Sequence, residues 1–143
     1  MDFTIAQSIR LLELLDRDEL TRLAHAVGGA IDSKNFEDFR NLYLATADAA
    51  TPGGVVEGLD AIIEMVVRNH QDFETTQHHV GDVQVHLDGD TATVAANVIA
   101  TMVPRAAEPE VNTSLGVRYR YDAVRTDEGW RFARVEIDLL WRR

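Results

Sequence analysis

The chain contains no cysteine. Disulfides, thiolate catalysis, iron–sulfur clusters and cysteine-type zinc sites are excluded with it. Positive charge is scarce as well: 14 Lys and Arg stand against 24 Asp and Glu, a formal net charge of −10. Such a chain has no basic face for nucleic-acid phosphate and is disfavoured at anionic membrane surfaces. No apolar run approaches the ~18 residues of a membrane-spanning helix. The start, Met1-Asp2-Phe3-Thr4, lacks the basic region of a signal peptide. A cytoplasmic protein is the expectation. There is no Gly-rich phosphate loop, no dinucleotide fingerprint and no zinc or facial-triad spacing, so no cofactor and no metal are expected.

What is present is one domain's worth of chain, 143 residues with 45% hydrophobic and 27% charged. The first half reads as helix. Ile5, Ile9, Leu12 and Leu15 recur at helical spacing until Asp16 and Asp18 interrupt them. A second helix is expected from Asp18 through Leu20, Leu23, Val27 and Ile31, and a third from Phe36 to about Leu44, capped by Asn35. Residues 45–58 read as loop around Thr51-Pro52-Gly53-Gly54, followed by a fourth helix from Leu59 to Asn69.

The second half reads as strand. Val83, Val85 and Leu87 alternate with polar residues up to the Asp88-Gly89-Asp90 turn. Thr91–Val103, Thr113–Arg125 and Trp130–Trp141 follow as long strands, separated by a loop with Pro104 and Pro109 and by the Thr126–Gly129 turn. Helices first and an antiparallel meander afterwards make an α+β pattern. Thr91–Val103 is apolar at both parities, and its second face needs a cover. A second copy of the chain is the simplest one, so a homodimer through the outer sheet face is expected.

Four segments carry a family resemblance. They are Ala30-Ile31-Asp32-Ser33 before Phe36-Glu37-Asp38-Phe39; Thr76-Gln77-His78-His79-Val80-Gly81; Leu87 to Ala92; and Tyr121 to Arg131. In this order and spacing the chain resembles the SnoaL-like family of the nuclear transport factor 2-like superfamily. The resemblance implies a strongly curved sheet wrapped by helices into a cone with a pocket inside. It does not imply one function, because that family spans dehydratases, isomerases, cyclases and non-catalytic binding modules.

The leading chemical pair is Asp32 and His78. A carboxylate orients an imidazole, which then moves a proton near neutral pH. The Thr76–Gly81 segment resembles the histidine-bearing segment of scytalone dehydratase, and the resemblance makes His78 the general acid/base and Asp32 its partner. Side chains alternate along a strand, so only one of His78 and His79 faces the pocket. Counting back from Val83 favours His79; a bulge at Gly81 would favour His78, the choice the resemblance supports. The expected substrate contacts are Tyr121, Asn97, Tyr43, Met65 and, in reserve, His79. Tyr119 shares the parity of Tyr121. Gly28 and Gly29 lie mid-helix near Asp32, where they either leave room for a ligand or let the helix pack closely on the sheet. His25 is expected to be a partly exposed helix residue. Glu136 and Asp138 form an acidic strand face, expected to pair with Arg134 and Arg142, while Trp130 and Trp141 are expected anchors of core or interface.

The sequence also departs from the resemblance. Val27 stands where the dehydratases carry a tyrosine. Thr91–Val103 offers Asn97 and Thr101 in place of a second histidine or an Arg-x-Asp pair, and Thr51 is no general base. Two functions follow as expectations. One is a cofactor-independent dehydratase, isomerase or cyclase acting on an apolar polycyclic or aromatic hydroxy-carbonyl compound. The other is a non-catalytic small-molecule-binding or dimerisation module.

Overall fold

The computed structural model describes the whole chain, Met1 to Arg143. It opens with one 28-residue helix, α1, over Ile5–Asp32. Thr4 caps it: the Thr4 hydroxyl accepts from the Gln7 N–H, and the Gln7 side chain accepts from the Thr4 N–H. The expected break at Asp16–Asp18 does not occur. No Gly or Pro lies there, and each aspartate costs the helix only about 0.5 kcal/mol. Both carboxylates are also engaged. Asp18 accepts from Arg22 one turn on, at 2.7 Å. Asp16 receives both terminal nitrogens of Arg125 at 2.7 and 2.8 Å and the Trp130 indole N–H at 3.0 Å.

The next segment departs further from expectation. Phe36–Asn41 is a short 3₁₀ turn, and Asn35 makes no side-chain cap. Residues 45–58 are not loop. Tyr43–Thr51 forms β1 and Gly54–Glu57 forms β2, an antiparallel hairpin about the Pro52-Gly53 turn. β1 is rich in alanine, a poor strand former, and Ala47 and Ala49 are fully buried. The sheet neighbours hold it extended where its own propensity does not. Helix α2 spans Leu59–His70, and its buried face is Leu59, Ile62, Ile63 and Val66.

Four long strands follow: β3 Thr75–Asp88, β4 Thr91–Val103, β5 Thr113–Thr126 and β6 Gly129–Arg142. They join the first hairpin in one six-stranded sheet of order β2-β1-β6-β5-β4-β3. All neighbours are antiparallel except β1 and β6, which run parallel. The sheet is curved and unclosed, and the helices pack on its concave side. Trp130, Phe132 and Tyr121 are fully buried in that core, with the Tyr121 and Phe132 rings stacked at 3.9 Å. Burial of each such ring stabilises by about 2–3 kcal/mol. No helix is long and apolar enough to cross a membrane.

Three register shifts among the long strands decide which side chains enter the concavity. The β3–β4 register shifts between Gly81 and Gln84, with Asp82 at a positive φ of 49°. Before the shift Thr76, His78 and Val80 face inward; after it Val83, Val85 and Leu87 do. The other two lie in β6. Asp122 opposes Arg134 but Ala123 opposes Phe132, leaving Ala133 as an extra residue; Gly116 opposes Trp141 but Val117 opposes Leu139, leaving Leu140 as the other. Beyond it Trp141 covers Gly116 on the outer face, while Arg142 pairs with Leu115 and takes the inner one.

Candidate active site

Asp32 ends α1, and the inner face of β3 passes directly beneath it. The approach is close because Gly28 has no side chain: a Cβ there would stand 3.0 Å from Val80 Cγ2 and 3.2 Å from His78 Cβ. Gly28 thus serves tight helix–sheet packing rather than ligand space. Gly29 faces open space. The two Asp32 oxygens are fully used. Oδ2 accepts from the His78 backbone N–H at 2.7 Å. Oδ1 accepts from the Thr76 hydroxyl at 3.0 Å and lies 2.7 Å from His78 Nδ1. A carboxylate only accepts, so Nδ1 carries the proton and the Nε2 of a neutral His78 is free and basic. The His78 side chain is 2% exposed.

His78 forms part of the wall of a cavity of about 650 Å³ enclosed by α1, α2, β1 and the late strands. That volume suits a small organic ligand. Most lining residues are apolar, among them Val27, Ile31, Phe39 and Ile62. The polar groups inside are few. Tyr43, Tyr119, His70 and His78 supply them, with Arg68, Asn69 and Arg142 beside α2 and the end of β6. Tyr119 is pushed up to about 12, first by burial and then by the Asp32 charge, so its hydroxyl stays a hydrogen-bond donor at neutral pH.

His70 is a second imidazole beside the first. Its ring centre lies 5.4 Å from that of His78. Its Nδ1 donates to the Val66 carbonyl at 2.7 Å, which leaves Nε2 as the acceptor of the neutral ring. Burial lowers its pKa below the ordinary 6.5, and the neighbouring His78 lowers it further. Sequence reasoning passed over this residue. The signal was there: His70 follows Val66 by four and Ile63 by seven, on the buried face of α2.

Of the expected contacts, Tyr43 and Met65 line the cavity. Tyr121 does not. It packs behind the wall against Phe132, and its buried hydroxyl has no hydrogen-bond partner. Tyr119 takes the lining position instead. Asn97 and His79 lie on the opposite face of the sheet. Asn97 donates to Asp82 at 3.0 Å and accepts from Arg118 at 3.2 Å there, because even-numbered β4 residues take the inner face. His25 is exposed. Glu136 and Asp138 pair with Arg120, not with Arg134 or Arg142, and Arg134 reaches Asp48. No three His, Asp or Glu side chains converge in a metal-holding arrangement.

The signature of the SnoaL-like domain matches residues 12–136. The chain belongs to the SnoaL-like family. An uncharacterized protein of Mycobacterium tuberculosis is 29% identical over 128 residues, spanning 88% of this SnoaL-like chain and 86% of its own. A nuclear transport factor 2-like protein of Novosphingobium aromaticivorans, with a cystatin-like fold, superimposes with a TM-score of 0.83. The two are 27% identical over 98% of this chain and 92% of the other. A candidate scytalone dehydratase from the same organism gives a TM-score of 0.81 at 20% identity, covering 92% and 88%. A hexachlorocyclohexane dehydrochlorinase gives 0.75 at 13%, covering 94% and 89%. The last two likenesses are of fold alone.

Proposed function

We propose that this SnoaL-like protein is a cofactor-independent acid–base catalyst: a dehydratase, isomerase or cyclase of an apolar polycyclic or aromatic hydroxy-carbonyl compound. One observation carries the reading. A deeply buried imidazole lines an apolar cavity and is fixed by a carboxylate at Nδ1, which leaves Nε2 without a partner in the chain. That arrangement moves protons in a site from which water is largely displaced.

In a dehydration, His78 Nε2 takes the proton from the carbon beside the carbonyl. The C–H electron pair becomes the new C=C bond, and hydroxide leaves with that proton as water. Asp32 fixes the tautomer and balances the positive charge on the ring. Tyr119 donates to the carbonyl oxygen as negative charge grows there, the role expected of Tyr121 or Asn97. His70, neutral with Nε2 bare, is a second acceptor for a substrate hydroxyl. The dehydratase and dehydrochlorinase among the proteins of like fold perform eliminations by name, which supports this class. A homodimer through the outer sheet face and a cytoplasmic setting belong to the same reading.

The test pairs a thermal-shift screen of polycyclic ketones, hydroxy-aromatics and steroids with mass spectrometry of each hit. His78→Ala is expected to keep the fold and lower turnover by about 100-fold or more, the usual contribution of one proton-transferring group. Unchanged turnover in that variant overturns the mechanism. Ligands that stabilise the wild type yet are recovered intact make the protein a binding module.

A further inference from the structure

The charged groups around the cavity run against the rest of the molecule. The chain has 24 carboxylates, yet not one Asp or Glu lines this cavity; Asp32 stands behind His78. Two arginines do line it, Arg68 from the last turn of α2 and Arg142 from the end of β6. Elsewhere Arg22, Arg40, Arg120, Arg125, Arg131 and Arg134 each meet a carboxylate of the chain. Arg68 and Arg142, like five other arginines of the chain, meet none, and neither makes a side-chain hydrogen bond. Arg142 faces inward through the Leu140 bulge; alternation carried on from Val135 and Ile137 would send it to the outer face.

We infer that the cavity takes an amphipathic acid: an apolar ring body carrying a carboxylate, held by Arg68 and Arg142 with the reacting end toward His78. Planar guanidinium groups offer paired donors that match a carboxylate. The solvent-exposed arginines hold the charged group in water at the entrance, so binding strips only the apolar body of its hydration. A neutral ligand of the same body leaves both arginines idle. A basic ligand would meet two guanidinium charges of its own sign with no carboxylate on the wall to offset them. The inference rests on the proposed function in one respect, that the cavity receives an apolar ligand. It adds the charge such a ligand bears.

The experiment compares two probes with one body, 2-naphthylacetate and 2-(2-naphthyl)ethanol, by isothermal titration calorimetry. The acid is expected to bind about fivefold more tightly than the alcohol, in keeping with exposed charge pairs. Added salt should shrink that preference. The Arg68→Gln/Arg142→Gln double variant should equalise the two probes, and Arg68→Lys/Arg142→Lys should keep part of the preference. Both positions are exposed, and thermal unfolding of each variant checks that the fold is intact. Equal affinities in the wild type, or a preference that survives the double glutamine variant, overturn the inference and leave the apolar pocket standing. Absence of binding by either probe, with no change at His70 or His78 in NMR spectra, overturns both readings together.

Discussion

His70 and His78 sit 5.4 Å apart yet experience opposite surroundings. His78 has a carboxylate on Nδ1, whereas His70 has a backbone carbonyl and apolar burial. The folded His70 ring therefore resists protonation relative to an open histidine of pKa 6.5. As pH falls below about 6.5 the unfolded chain takes up this proton more readily than the folded one, so the residue subtracts stability there. His70→Phe should flatten the loss of stability between neutral and mildly acidic pH, measured by urea unfolding across that range. An NMR titration should place the His70 midpoint below 6.5 and move it upward in His78→Ala, because a neighbouring charge that opposes protonation is gone. A His70 midpoint at or above 6.5 would sink this account of the ring.

At the scale of elements, α1 is pinned to the sheet at two places. Near its middle, Asp16 grips Arg125 and the Trp130 indole, and the Arg125 guanidinium lies 4.6 Å over the Trp130 ring. At its end, Asp32 holds β3 through Thr76 and His78. Gly28 sets the spacing between these anchors. Gly28→Val should destabilise by about 2 kcal/mol through overpacking and disturb the Asp32–His78 pair. Gly29→Ala meets open space in the same helix and should stabilise by roughly 0.5–1 kcal/mol. Chemical denaturation of the two variants checks the signs. Similar effects at both positions would show that backbone propensity, not packing on His78, governs this stretch.

The whole molecule leaves two apolar surfaces bare. One is the outer sheet face, where Ile99, Leu140 and Trp141 are 49%, 49% and 41% exposed. The other is the first half of α1, where Ile5, Leu12 and Leu15 project beyond the body and Leu20 is the first buried residue. For a domain of this size such patches mark association. The dimer proposed through the sheet face predicts that Ile99→Glu with Leu140→Glu gives a monomer by light scattering. Removing residues 1–12 should leave the dimer intact. A monomeric wild type, or a dimer lost only on removing the helix arm, would refute that interface.

The order of helices and long strands was legible in the sequence, because periodicity of 3.6 or 2 reports burial on one face whatever the partner. So was the pairing of Asp32 with a histidine of the Thr76–Gly81 segment, through the family resemblance. The alanine-rich β1 was not, since only its neighbours in the sheet make an extended chain favourable there. Nor was the continuity of α1 past Asp16, whose carboxylate meets Arg125 and Trp130 from more than a hundred residues away. Facing was the main thing left to tertiary structure. Alternation predicts parity only until a bulge reverses it. The bulge at Gly81–Asp82 brings His78 rather than His79 to the cavity, and the one at Leu140 brings Arg142 there. A bulge is a property of the register between two strands, so one strand's sequence does not contain it.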